Sequence, residues 1–292
     1  MFKYYAVFLV NEYNNHIDLV TYFLYLCHIK IQIMITSKSN PKIKNIVKLQ
    51  KSSERREQNR IIIEGRREIE RAVACGFVID TLLICNEIAG TEATAGIEAN
   101  TIEEVSLDVF EKIAYREGSD GLFAIAIPRY AKLKDFKPKK NPLIVVLETV
   151  EKPGNLGAVM RTADAAGVDA VIIADPRTDL FNPNAIRASI GTIFSVPLFS
   201  CSSEECINWL RENNIKIYCT YLKASIDYLE ADFRNGSAIV MGTEATGISN
   251  IWVEAADQNL IIPMQGIADS LNVSVTTAIM VFEAVRQRRQ NP

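Results

Sequence analysis

Residues 151–173, EKPGNLGAVMRTADAAGVDAVII, bring a turn, a helix start and one guanidinium into a short span. Pro153 and Gly154 give a tight turn, and Asn155 is a strong helix N-cap. Gly157, Ala158, Ala163, Ala165 and Ala166 then make a helix of little side-chain bulk that another backbone can approach closely. Arg161 sits within it. A guanidinium stays charged at physiological pH, so it grips phosphate oxygens and steadies developing negative charge; it is a poor base. Taken alone, the stretch also reads as ordinary strand-to-helix punctuation.

Two further stretches could do chemistry. Residues 238–249, AIVMGTEATGIS, read as a strand running into a glycine-rich loop. Gly242 and Gly247 have the G-x-x-x-x-G spacing of a phosphate-binding loop, but Ile248 follows where that loop needs Lys. No G-x-G-x-x-G follows a strand, which speaks against a dinucleotide fold. There remains a loop where Gly242 lets a ligand approach the backbone and Glu244 offers a carboxylate, or else a plain turn with a solvated glutamate. In residues 260–290, Pro263 ends a strand, 265–270 form a polar loop, and Ser270 or Asn272 caps a helix. Val273, Thr276, Thr277, Met280, Val281 and Ala284 follow helical spacing and read as core or interface. Arg286, Arg288 and Arg289 suit the negative end of that helix's dipole.

These stretches must be held by a scaffold, and the pattern names its class. LIVVLET at 143–149 is a continuous apolar run, as in a parallel strand buried on both faces. Helices at 155–166, 203–213 and 272–289 alternate with strands at 170–174, 193–198, 216–220 and 238–241, which predicts an α/β parallel sheet flanked by helices. Before it, strands at 61–65, 78–85, 102–105 and 122–127 alternate with shorter helices in a smaller α/β domain at 34–130. Residues 131–141, polar and flanked by prolines, read as a linker to a second domain at 142–292. At roughly 100–200 residues per domain, the 292 residues accommodate two.

Composition sets further bounds. The chain is 48% hydrophobic and 23% charged, which is globular composition, and its net charge of −3 provides no global attraction to nucleic acid. Any such binding must come from local clusters: Lys42, Lys44, Arg55, Arg56 and Arg60 lie in a basic early stretch, and Lys132, Lys134, Lys137, Lys139 and Lys140 form a second. A solvated face and a charged linker explain the same residues. Six scattered cysteines form no C-x-x-C pair and read as reduced core thiols of a cytoplasmic protein. The only histidines are His16 and His28, which argues against Ser-His-Asp catalysis and against a metal site. Residues 1–33 are apolar but broken by Asn11, Glu12, Asn14, Asn15 and Asp18, so they suit neither a membrane span nor a signal peptide. They read as an extension outside the fold, or as a start placed too early.

In order, spacing and wording, PGNLGAVMRTADAAG, MGTEATGIS and IPMQGIADSLNVSV together resemble the three motifs of the SpoU (TrmH-like) family of RNA ribose methyltransferases, and the likeness covers nearly all of 143–290. Residues 37–128 are similar, more loosely, to the ribosomal-protein-like RNA-binding domain that many members carry. The resemblance implies a deep trefoil knot, a homodimer through the C-terminal domain, and S-adenosylmethionine held near Gly242, Ile262, Met264, Leu271 and Ser274. It makes Arg161 the catalytic arginine, with Asn155, Glu244, Ser270 and Asn272 beside it, and Arg187 and Ser189 as braces. Lys152 departs from the Asn or Asp common in the family, a subfamily trait that leaves the arginine's role intact. The implied reaction is methylation of a ribose 2′-hydroxyl in structured RNA, with ribosomal RNA favoured by the extra domain. Transfer RNA as the substrate, or a non-catalytic RNA-binding or ribosome-assembly factor, are the alternatives.

Overall fold

The computed structural model describes residues 34–90, 93–115, 118–223, 225–243 and 246–290. By its contacts the chain divides into Met1–Met34 and Ile35–Pro292, and the second unit holds everything that bears on the site. The extension read at 1–33 lies outside the described residues.

The first half of this unit begins with α1 (Pro41–Lys48), where the Asn40 side chain accepts from the Lys42 amide at 2.9 Å and Pro41 opens the helix. Its apolar stripe, Ile43 and Ile46, is buried while Lys44 and Lys48 face solvent. Then come α2 (Ser52–Gln58), β1 (Ile61–Glu64), α3 (Arg66–Ala74), β2 (Ile79–Ile84), α4 (Asn86–Ala89), β3 (Thr101–Glu104), α5 (Leu107–Ile113) and β4 (Leu122–Ala126). The strands form a sheet in the order β1-β4-β2-β3, with β4 antiparallel to both its neighbours. Ile43, Ile46, Leu49, Val109, Phe110 and Phe123 make the core under α1 and α5.

The second half comprises β5 (Leu143–Glu148), α6 (Pro153–Ala166), β6 (Ala170–Ala174), α7 (Pro183–Ala188), β7 (Leu198–Cys201), α8 (Ser203–Glu212), β8 (Lys216–Thr220), β9 (Ile226–Asp227), β10 (Ser237–Met241), α9 (Asn250–Ala255), β11 (Gln258–Ile261) and α10 (Val273–Gln290). All seven strands are parallel, in the order β7-β6-β5-β10-β8-β11-β9. Every residue of β5, β6 and β10 is buried, as continuous apolar strands covered on both faces must be. α10 packs on α6 and β10. At its end Arg288 donates to the carbonyls of Phe233, Asn141, Pro142 and Asn235 at 2.7–3.1 Å, so this residue serves the starts of β5 and β10 rather than its own helix dipole.

Three further expectations change. Residues 193–198 are not a strand: Thr192–Phe194 form a 3-10 turn, Pro197 has no amide to give a ladder, and β7 starts at Leu198. Ile193 and Phe194 are apolar because the turn is buried against Phe77. α6 begins two residues before Asn155, with Pro153 at its first position, so Asn155 lies inside the first turn and is not the cap. Residues 131–141 are no free tether: Leu133 is buried, Phe136 stacks on Trp209 and tilts against Phe199, and Lys139 pairs with Asp169 at 2.9 Å.

Gly157 sets how closely α6 and α7 approach. A Cβ there would stand 2.5 Å from the Ala185 carbonyl oxygen and the Ala188 Cβ. Alanine normally gains about 1 kcal/mol over glycine inside a helix, but overpacking costs ~1–3 kcal/mol, and here a backbone oxygen is in the way. Gly157→Ala is therefore expected to lose about 1–2 kcal/mol of stability, seen as a lower thermal midpoint; an unchanged or higher midpoint would refute the close contact.

Candidate active site

At the carboxyl ends of β5 and β10 lies a cleft of about 210 Å³, lined by Leu147, Glu148, Val150, Glu151, Lys152, Asn155, Gly242, Thr243 and Val273. Ligands of open parallel sheets bind at this edge because the loops leaving the strands converge there. Three loops meet: the β5–α6 turn, the glycine loop after β10, and the start of α10.

Each loop is shaped by local chemistry. Leaving β5, Thr149 takes a left-handed φ of 48°, a strained position for a β-branched residue, and its amide is held by the Ala174 carbonyl at 2.8 Å. After β10 the chain closes on itself: the Thr243 and Gly247 amides donate to one another's carbonyls at 2.9 and 3.0 Å, and the Thr243 and Thr246 hydroxyls stand 2.8 Å apart. A Cβ on Gly242 would lie 2.2 Å from the Gly247 carbonyl carbon, so only glycine fits. At the third loop, Asn272 caps α10 by accepting from the Ser274 amide (2.9 Å) and hydroxyl (2.6 Å). Its amide nitrogen reaches the Asn155 side-chain oxygen at 3.3 Å, across 117 residues of sequence.

The structure thus brings together Asn155, Gly242 and Asn272. Ile262, Met264, Ser270, Leu271 and Ser274 lie on the β11–α10 segment and the first turn of α10, and none of them is among the residues lining the cleft. Glu244 lies outside the described residues. Arg161, two turns into α6, is exposed and makes no ion pair or hydrogen bond among the described residues. Ser189 is fully buried; its hydroxyl donates to the Ile186 carbonyl at 2.7 Å and accepts from the Gly191 amide at 3.2 Å, bracing the turn after α7. Arg187 is exposed on α7.

Sequence reasoning missed Glu148. It is 5% exposed, lines the cleft, and accepts from the Ser249 amide at 2.9 Å, tying the end of the glycine loop to β5. Its signal was present in LIVVLET, a carboxylate closing a buried parallel strand. Burial pushes the Cys219 thiol on β8 well above its ordinary range. Among the described residues no cluster of three or more His, Cys, Asp or Glu could hold a metal, and no helix is long and apolar enough to cross a membrane.

The basic residues of the first half divide by environment. Lys44 and Arg56 are exposed, Lys42 is paired with Glu103, and Arg60 lies 3.6 Å from Asp80. Arg55 departs from its expected role at an RNA surface: it is 3% exposed and bonded to Asp179 at 2.7 Å. No phosphate can reach it.

Residues 142–282 match the SpoU rRNA methylase family, and residues 40–124 match an MRM3-like substrate binding domain. The chain is 30% identical to the 23S rRNA (guanosine(2553)-2′-O)-methyltransferase RlmP of Bacillus subtilis, over 85% of this chain and 97% of that one. Among solved structures, an RNA 2′-O ribose methyltransferase is 40% identical with a TM-score of 0.79, covering 88% of this chain and all of that one. An AdoMet-bound rRNA methyltransferase from Sinorhizobium meliloti is 32% identical, also at 0.79, over 89% and 98%.

Proposed function

The chain belongs to the SpoU rRNA methylase family, and from that premise we propose that it transfers a methyl group from S-adenosylmethionine to a ribose 2′-hydroxyl of ribosomal RNA in the cytoplasm. The observation that carries this reading is the cleft itself, where Asn155, Gly242 and the cap of α10 converge. Leu147, Val150 and Val273 give the cleft an apolar wall, Gly242 bares its backbone, and Glu148 and Asn155 supply polar ends. Such a lining suits a ligand that is part hydrocarbon and part charged. Gly242, Ile262, Met264, Leu271 and Ser274 would hold the cofactor, which supplies an electrophilic methyl on a sulfonium when bound.

In this reading the protein's own contribution is placement and charge. Arg161 grips the phosphate next to the target ribose and stabilises the negative charge that grows on the attacking oxygen. As a permanent donor, it does not take the hydroxyl proton. Asn155 and Asn272, locked to each other, hold the glycine-bearing loops in register, with Ser270 and Glu244 as further site residues. A ribose 2′-hydroxyl exists only in RNA, and the first domain, with Lys42, Lys44, Arg56 and Arg60, offers the phosphate contacts.

The same premise makes the second half a deep trefoil knot, with segment 262–272 and α10 threaded through the sheet's loops. In its support, the start of α10 meets Asn155 and its end is bound beneath β5 and β10 by Arg288. It also makes the protein a homodimer. Opposite its buried face α10 carries Val275 and Phe282, each 47% exposed, a stripe that a second copy would cover. Phe282→Asp is expected to yield a monomer in light scattering at micromolar concentration; a dimer of unchanged stability would refute that surface.

Calorimetric titration of S-adenosylmethionine into the purified protein tests the functional reading. Saturable binding is expected. Absence of binding would favour a non-catalytic RNA-binding factor on the same fold.

A further inference from the structure

The two halves of the unit are joined by a loop, residues 175–182 between β6 and α7, that touches both the RNA-binding domain and the cleft. On α2, Arg55 uses four of its five donors: Nε and Nη2 each reach Asp179 Oδ2 at 2.7 Å, and Nη1 donates to the Leu49 and Gln50 carbonyls at 2.8 Å. Asp179 Oδ1 accepts from the Phe181 amide at 3.1 Å, which fixes the turn that presents the carboxylate. Two residues earlier, Arg177 pairs at 2.8 Å with Glu151, and Glu151 lines the cleft.

Apolar contacts surround the pair. Phe77 of the first half stands edge-on to Phe181 and Phe194 at 5.7 and 4.8 Å, and Tyr130 tilts against Phe181 at 5.6 Å. Arg71 donates to the Ile190 carbonyl, and Asn184 donates to the Tyr115 hydroxyl at 3.1 Å. A guanidinium removed from water is tolerated only where a counter-charge and carbonyls meet it, and here they do so in a single placement of one half on the other. A tethered arm needs no such arrangement.

We propose that Arg55 and Asp179 are positioning residues for methyl transfer: their buried pair fixes the span between RNA held on the first domain and the cleft, and so selects the nucleotide presented. This rests on the RNA methyltransferase reading. The pair touches neither substrate nor cofactor, and its effect passes through the loop to Arg177 and Glu151.

Asp179→Ala strands the Arg55 charge and loosens the halves. On unmodified 23S rRNA transcribed in vitro, KM is expected to rise about tenfold or more, while kcat and S-adenosylmethionine affinity stay within about twofold. Methyl groups should also appear at ribose positions that wild type leaves bare. On a short stem-loop carrying only the nucleotide mapped with wild type, both parameters stay unchanged, because that RNA does not span the two halves. Asp179→Glu, which restores the charge, recovers part of the lost KM. Asp179→Asn, which keeps the side chain's shape, gives the same pattern at smaller size and serves if the alanine variant does not fold. KM within about twofold of wild type on full-length RNA, or kcat falling equally on the stem-loop, overturns the proposal. Wild type inactive on 23S rRNA refutes the functional reading and the proposal with it; active wild type with unaltered variants refutes the proposal alone.

Discussion

Replacing Arg161 with alanine is expected to lower kcat for methyl transfer about 10²–10³-fold while S-adenosylmethionine still binds, the loss typical for a donor aimed at charge that develops in a transition state. Arg161 is exposed on α6, and its removal breaks no pair among the described residues. The folded state should therefore keep its thermal midpoint, and the deficit should appear in single-turnover rates. Lysine at the same position keeps the charge but not the two-pronged donor, and should recover only part of the rate. Alanine with near-normal turnover would remove Arg161 from the chemistry altogether.

Gly242→Ala should act at the other half of the reaction. The added methyl carbon would stand 2.2 Å from the Gly247 carbonyl carbon and 2.3 Å from the Ile248 amide nitrogen, closer than any Cβ approaches backbone. No rotamer can relieve this, because the obstruction is the loop's own closure between Thr243 and Gly247. Overpacking of this kind costs ~1–3 kcal/mol, and the cost falls on the loop that borders the cleft. If that strain is expressed as lost ligand affinity, S-adenosylmethionine binding weakens about 10–100-fold, measurable by calorimetry. The body of the sheet should be spared, since β10 ends one residue earlier and pairs through Met241 with Leu147. Undiminished binding by this variant would mean that the loop does not contact the cofactor.

How much of this could be read from the sequence depends on which forces were local. β5 and β10 were legible because a strand buried on both faces reads as a near-continuous apolar run, LIVVL in one and AIVM in the other. The glycine loop was legible because a strand followed by two glycines leaves little else to build. Asn272 and Ser270 were equal candidates for the cap of α10, and the choice of Asn272 rests on a side-chain geometry that spacing does not encode. The shift of β7 from 193–198 to Leu198–Cys201 has a tertiary cause: Ile193 and Phe194 are apolar for the sake of Phe77, 116 and 117 positions earlier in the chain. Arg55 was illegible for the same reason. Within its basic stretch it looks like Arg56, and only Asp179, 124 residues away, makes it a buried cation. The strap at 131–141 carried its own signal, Leu133 and Phe136 among the lysines, but charge outweighed them in a reading by composition.

Under the proposed function, the cleft delivers a methyl group to a ribose oxygen of RNA. The most direct measurement is to incubate the purified protein with methyl-labelled S-adenosylmethionine and unmodified 23S rRNA, then hydrolyse the product in alkali. A methyl on the 2′-oxygen blocks cleavage at that nucleotide, so the account predicts label in a single alkali-resistant dinucleotide. Label recovered in ordinary mononucleotides would place the methyl on a base and contradict it, as would RNA that takes up no label at all.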